Sequence, residues 1–209
     1  MAPRYELLYF NAKGSVEPAR LMFAQAGVEF VDTRFSSEEW PKVKPDKKRF
    51  PFGQVPVLLI DDRALPQSRA IFRFLAREFN FYGTNSTESS LIDVAVGVID
   101  DLKMYIYANL REKDPARKEE GMKDINENRL PTALTQLEEI LKNNNGGKGW
   151  FVSDKVSLAD ILFFSLSERL VQTSPTVFDS YPHLKALLER FKSQENIKKW
   201  LANRPVTEY

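Results

Sequence analysis

Few side chains in this chain are chemically reactive, and that narrows what it can do. It has no cysteine and a single histidine, His183. A thiolate nucleophile, a disulfide framework and a cysteine zinc site are excluded. His183 stands in Tyr181-Pro182-His183-Leu184 and reads as the first turn of a helix, a structural place rather than one in a Ser-His-Asp relay. Activation of a substrate is left to tyrosine, carboxylates or lysine. The clearest binding signal is Pro51 to Ser68, PFGQVPVLLIDDRALPQS. The apolar run Val55–Ile60 follows a glycine and has Pro56 near its start, where proline fits a strand edge or entrance. Val55-Pro56 is expected to be cis. The turn at Asp61-Asp62-Arg63 leads through a second strand to Gln67-Ser68, where a helix opens. Exposed main chain at Gln54-Val55 and free helix N–H groups at Gln67-Ser68 suit a short extended peptide with a free carboxylate.

The elements that must hold these groups fall into two halves. Residues 4 to about 80 alternate strand and helix signals. Tyr5–Phe10 reads as a strand, and Val16–Ala26 as a helix with Ala19, Met22, Phe23 and Ala26 on one face and Gly27 as its cap. Val28–Phe35 reads as a second strand, followed by an irregular connection, the two strands of Pro51–Ser68 and a helix over Ser68–Phe79. Two parallel strands joined by a helix, plus an antiparallel pair, predict a small α/β sandwich. Residues 80–90 read as a linker. Beyond them Thr87–Arg111, Pro115–Asn143, Ser157–Gln172, Pro182–Ser193 and Glu195–Asn203 read as helices. Ser157 and Asp160 are spaced as a capping box, and Val156 and Ile161 as a hydrophobic staple.

Composition removes further classes. There are 30 basic and 29 acidic residues, a net charge of +1, so no basic field marks a nucleic-acid binder. No apolar run approaches the roughly 18 residues of a membrane span. Met1-Ala2-Pro3-Arg4 lacks the features of a signal peptide, which points to the cytoplasm.

An ordered set of short motifs resembles the cytosolic glutathione transferases. Tyr9-Phe10-Asn11 closes the first strand, Glu39-Trp40-Pro41 and Lys44-Pro45 follow the second, Pro51-Phe52-Gly53-Gln54-Val55-Pro56 enters the third, and Gln67-Ser68 opens a helix. Ser157-Leu158-Ala159-Asp160 and the closing Ile197-Lys198-Lys199-Trp200 with Arg204-Pro205 complete it. The set is most similar to the sigma class, which includes invertebrate transferases and vertebrate prostaglandin D synthases. The resemblance implies a thioredoxin-like α/β domain over residues 1–81 and an all-α domain over 82–209 that carries much of the electrophile site.

It also implies a homodimer that conjugates glutathione, its co-substrate, to apolar electrophiles. Tyr9 is the implied catalytic residue. Trp40 and Lys44 would face the glycyl end of glutathione, and Gly53, Gln54 and Val55 would lie along its cysteinyl unit. Gln67 and Ser68 would take the γ-glutamyl carboxylate, and Asp101 of the other subunit its amino group. Phe10, Lys13, Leu102, Tyr105, Ala108, Leu162 and Tyr209 are candidates for the electrophile wall. Ser15 stands where many sigma members carry arginine, and Gly97 where the metal-binding prostaglandin synthases carry a third acid; no metal is expected. The resemblance leaves two alternatives: a glutathione-dependent isomerase making prostaglandin D from prostaglandin H2, and a non-catalytic crystallin or ligand carrier.

Overall fold

The computed structural model describes residues 3–207. Strand β1 (Tyr5–Phe10) organises the first half, because alternate side chains along a strand point to opposite faces. Tyr5 packs with Phe23 and Phe79 on one face, at ring-centroid distances of 5.3 and 6.1 Å. Leu8 turns to the other face and joins Phe35, Phe50 and Val57 in a buried cluster, with Phe10, Trp40 and Val55 packed against it. Tyr9 therefore projects on the Tyr5 side and Phe10 on the Leu8 side.

Helix α1 (Glu17–Ala26) carries the chain from β1 to the parallel strand β2 (Val31–Phe35). The left-handed Gly27, with φ of 67°, closes α1 by donating its N–H to Ala24 and Phe23 carbonyls. Strands β3 (Val57–Ile60) and β4 (Arg63–Pro66) pair antiparallel, and β3 lies antiparallel to β1 with Leu8 opposite Val57. The described sheet has the order β2-β1-β3-β4. Helix α3 (Ser68–Glu78) follows and packs against α1. Two differences from the sequence reading are local. The second strand begins at Val31 rather than Val28, and the irregular connection contains a short helix, α2 (Trp40–Val43), whose four residues are too few to show a period.

The second half among the described residues is helical: α4 (Ser86–Arg111), α5 (Pro115–Asp124), α6 (Leu130–Asn143), α7 (Leu158–Thr173), α8 (Pro182–Ser193) and α9 (Glu195–Asn203). The single helix expected over Pro115–Asn143 is divided by a π-helical turn at Ile125–Arg129. Helix α4 packs on α5, α6 and α7, and α7 is buried along most of its length. The expected cap of α7 forms. Asp160 Oδ2 accepts from Ser157 N at 2.8 Å and Ser157 Oγ at 2.6 Å, while Oδ1 accepts from Phe151 N at 3.0 Å.

The chain divides into two compact units. One runs to Phe79 and takes in the chain from Ser193 onward; the other is Asn80–Lys192. Helix α9 packs on α1 of the first unit, although in sequence it follows the helical half.

Candidate functional site

The site in the first unit is built around one end of β1. Tyr9 ends the buried part of the strand and is partly exposed. Its hydroxyl accepts hydrogen bonds from Ser15 N at 3.3 Å and from Ser15 Oγ at 3.2 Å. The loop between β1 and α1 must fold tightly over the ring for this contact, and Gly14 permits it. Gly14 has φ of 47°, and a Cβ there would stand 2.7 Å from Tyr9 Oη and 2.8 Å from Tyr9 Cε1. Ser15 is the residue that the sequence resemblance set where arginine was expected. Here it is the phenol's hydrogen-bond donor, a role that residue type alone did not disclose.

Beside Tyr9 stands an aromatic step. Phe10 lies edge-on to Tyr9 at 5.6 Å and to Trp40 at 5.6 Å, and Trp40 lies edge-on to Phe50 at 5.1 Å. Trp40 is thus partly a packing residue. Its position is set by Ser36 and Glu39: Ser36 N donates to Glu39 Oε2 at 2.8 Å, and Glu39 N donates to Ser36 Oγ at 3.1 Å. The hydrogen bond from the Ser36 main chain, and after it that from the Ser36 side chain, holds the Glu39 carboxyl below the usual carboxylate range. The Ser-x-x-Glu spacing ahead of Trp40 was the available signal for this box.

Lys44 and Lys47 converge over Gly53. A Cβ at Gly53, whose φ is 60°, would stand 3.4 Å from Lys44 Cε and 3.4 Å from Lys47 Nζ. The turn is closed by Gly53 N donating to the Phe50 carbonyl at 2.9 Å. Val55-Pro56 is cis, as expected. Gln54 is exposed and Val55 half-buried at the entrance to β3. At the other end of β3–β4, Gln67 has φ of 76° directly before the first residue of α3, Ser68. A non-glycine residue in that region is strained by about 1–3 kcal/mol, an arrangement common where backbone faces a ligand. Gln67 has an exposed side chain, and Ser68 is half-buried at the helix start.

The remaining candidates among the described residues fall in the β1–α1 loop and in the second unit. Lys13 is half-buried in the β1–α1 loop. Asp101 is exposed on α4 and lines a cavity of about 240 Å³ with Val98, Leu102, Tyr105 and Arg129. Tyr105 stacks under Arg129, whose guanidinium carbon is 4.5 Å from the ring centroid. Ala108 is exposed on α4, whereas Leu162 has no exposed surface and packs inside the second unit. Tyr209 lies outside the described residues. Among the described residues no group of three or more His, Cys, Asp or Glu side chains is placed to hold a metal, and no helix is long and apolar enough to cross a membrane.

Residues 5–77 match the family described as Glutathione S-transferase, N-terminal domain, and residues 100–204 match Glutathione S-transferase, C-terminal domain. The chain belongs to the glutathione transferase family. This transferase is 38% identical over 205 residues to a hematopoietic prostaglandin D synthase of Gallus gallus, with 98% of each chain covered. It is 34% identical to a glutathione S-transferase of Anopheles gambiae, over 99% of each chain. It is 35% identical to S-crystallin SL11 of Nototodarus sloanii, over 99% of this chain and all of the other. Among solved structures, prostaglandin synthase D of Nilaparvata lugens superposes with a TM-score of 0.88 at 34% identity, covering 98% of this chain and 100% of the other. A Necator americanus glutathione S-transferase described as monomeric gives 0.85 at 34% identity, covering 99% and 100%. The transferase fold is the one expected from the sequence, a thioredoxin-like α/β part and a helical part.

Proposed function

We propose that Tyr9 activates the thiol of glutathione and that the resulting thiolate adds to apolar electrophiles. The observation that carries this reading is the Tyr9–Ser15 contact. Two donors on the phenol oxygen leave the Tyr9 proton to point outward, and they polarise the O–H bond in the direction of a stronger donor. A free thiol has a pKa of about 8.5, and the thiolate is the nucleophile. A phenol O–H aimed at sulfur stabilises the anion and not the neutral thiol, and each pKa unit so gained is about 1.36 kcal/mol. The thiol proton passes to solvent. The sulfur lone pair then forms the C–S bond while the electrophile's leaving group, or its conjugated π system, accepts the displaced electron pair.

The other groups hold glutathione in place. Trp40 and Lys44 face its glycyl carboxylate. Gly53, Gln54 and the Val55 main chain run beside the cysteinyl unit, and Gln67 with Ser68 offers the α3 N-terminus to the γ-glutamyl carboxylate. The reading takes glutathione as co-substrate and no metal. It also takes a homodimer in which Asp101 reaches the partner's glutathione amine. The large apolar side chains exposed on α4, Leu91, Val94, Met104 and Tyr105, support an assembly through that helix.

Tyr9→Phe keeps the ring and removes the donor. Conjugation of glutathione to a dinitrohalobenzene should fall about tenfold or more, and the pKa of the bound thiol, read from thiolate absorbance against pH, should rise by about one unit. An unchanged thiol pKa would sink the assignment. The names of the Gallus gallus and Nilaparvata lugens proteins support a second activity on the same thiolate, isomerisation of prostaglandin H2. Product analysis with that substrate separates the two.

A further inference from the structure

The first turn of α1 holds a carboxylate and a guanidinium that see almost no solvent: Glu17 is 1% and Arg20 0% exposed. Glu17 Oε1 accepts two hydrogen bonds from the last described part of the chain, from Trp200 Nε1 at 3.0 Å and from Arg204 Nη1 at 2.8 Å. Glu17 Oε2 accepts from Arg20 Nη1 at 3.3 Å. That same Nη1 donates to the Ala12 carbonyl at 2.7 Å, and Arg20 Nε donates to Asp32 Oδ1 at 3.0 Å. Asp32 also takes Arg34 Nε at 2.8 Å, and Arg34 Nη1 donates to Asn11 Oδ1 at 3.2 Å. Asn11 and Ala12 begin the loop whose far end, Ser15, donates to Tyr9.

We infer that Trp200 and Arg204 are positioning residues for Tyr9. They fix Glu17; Glu17 and Asp32 fix Arg20; and Arg20 fixes the loop that brings the Ser15 N–H and hydroxyl onto the phenol oxygen. The inference rests on the proposal that Tyr9 activates the thiol. Its physical basis is that one guanidinium nitrogen serves two acceptors, so a shift toward one stretches the bond to the other. Arg20 Nη1 is shared between Glu17 and the Ala12 carbonyl, while Nη2 is buried with no hydrogen-bond partner among the described residues. A Glu17 deprived of Trp200 and Arg204 is a buried carboxylate with one remaining cationic partner, and such a group draws that partner closer. Arg20 then moves away from Ala12, and the loop shifts. The Ser15 contacts, at 3.2 and 3.3 Å, are already at the long end of hydrogen-bond distance, so a displacement of a few tenths of an ångström breaks them.

The test uses the full chain with glutathione bound. Trp200→Phe keeps an aromatic ring in place and removes the N–H; Arg204→Gln keeps a donor and removes the charge. In each variant the bound-thiol pKa, the kcat and KM with a dinitrohalobenzene, and the thermal midpoint are measured. The expected result is a thiol pKa raised by about half a unit, which is roughly threefold less thiolate at a pH below it. Turnover falls in proportion while the KM for glutathione is unchanged, because the groups at Gln54–Val55 and Gln67–Ser68 are untouched. Ser15→Ala added to Trp200→Phe then costs less than it does alone, since the same contact is already weakened. Arg204→Lys, which restores the charge, recovers the wild-type thiol pKa. A lower thermal midpoint with an unchanged thiol pKa in both variants overturns the inference. If the wild type itself shows no depressed thiol pKa, or Tyr9→Phe leaves it depressed, the reading of Tyr9 has failed instead. Should Trp200→Phe not fold, Arg204→Gln and Arg204→Lys decide the matter alone.

Discussion

Among the described residues each unit buries one carboxylate in the first turn of a helix, and the two are satisfied by opposite means. Glu17 in α1 is paired with two guanidinium groups, Arg204 at 2.8 Å and Arg20 at 3.3 Å. Asp160 in α7 has only neutral donors, from Ser157 and Phe151. Burial pushes the Asp160 carboxyl up to about 6, against the downward pull of those hydrogen bonds. A carboxylate with neutral donors is a local device, made by residues three apart. A carboxylate with charged partners ties together distant parts of the chain, and its removal leaves those charges buried.

Three measurements sharpen that contrast. Glu17→Ala should have the largest effect, about 3–5 kcal/mol of lost stability in urea denaturation, because among the described residues it leaves the Arg20 guanidinium with Asp32 as its carboxylate partner. A loss below about 1 kcal/mol would mean that the network rearranges without strain. The next effect is in pH. The Asp160 carboxyl titrates at about 6 when folded against 3.8 as its ordinary value. The folded chain therefore binds this proton more tightly than the unfolded chain. Its stabilising contribution is complete below pH 3.8 and is lost as pH rises through 6, by on the order of 3 kcal/mol. Asp160→Asn lacks this titration, so the wild type's stability advantage over the variant should narrow between pH 4 and pH 7. A gap that stays constant over that range contradicts the burial argument. The smallest effect is Ser157→Ala, at about 1 kcal/mol, as for loss of an N-cap serine. Denaturation at pH 7 should show the same midpoint slope and a lower midpoint.

The same contrast explains what could be read from residue order. The α7 cap was legible because Ser157 and Asp160 are three apart and Val156 and Ile161 flank them. The strand–turn–strand at Pro51–Ser68, the cis Val55-Pro56 bond and the α/β-then-helical order were legible for the same reason, since each is set by neighbours along the chain. The Tyr9–Ser15 contact was not, because it depends on Gly14 folding the loop back rather than on the type of residue 15. Trp40 was legible as a ligand-facing candidate by resemblance, but its packing on Phe10 and Phe50 was not. Leu162 shows the limit of helical spacing: it lies on a helix buried on nearly every side, so no face could be singled out. The partnership of Glu17 with Arg204 spans 187 residues, and no local pattern announces it.

That span has a consequence for how the molecule is made. A ribosome delivers residues in order, and domains ordinarily fold as they emerge. Here the unit bearing Tyr9 is interrupted after Phe79 and resumes only at Ser193. Its buried carboxylate, Glu17, therefore waits for Trp200 and Arg204 through the synthesis of the entire helical unit. Until residues 200 and 204 have emerged, Arg20 alone of the two guanidinium groups described here is in place to pair with that acid.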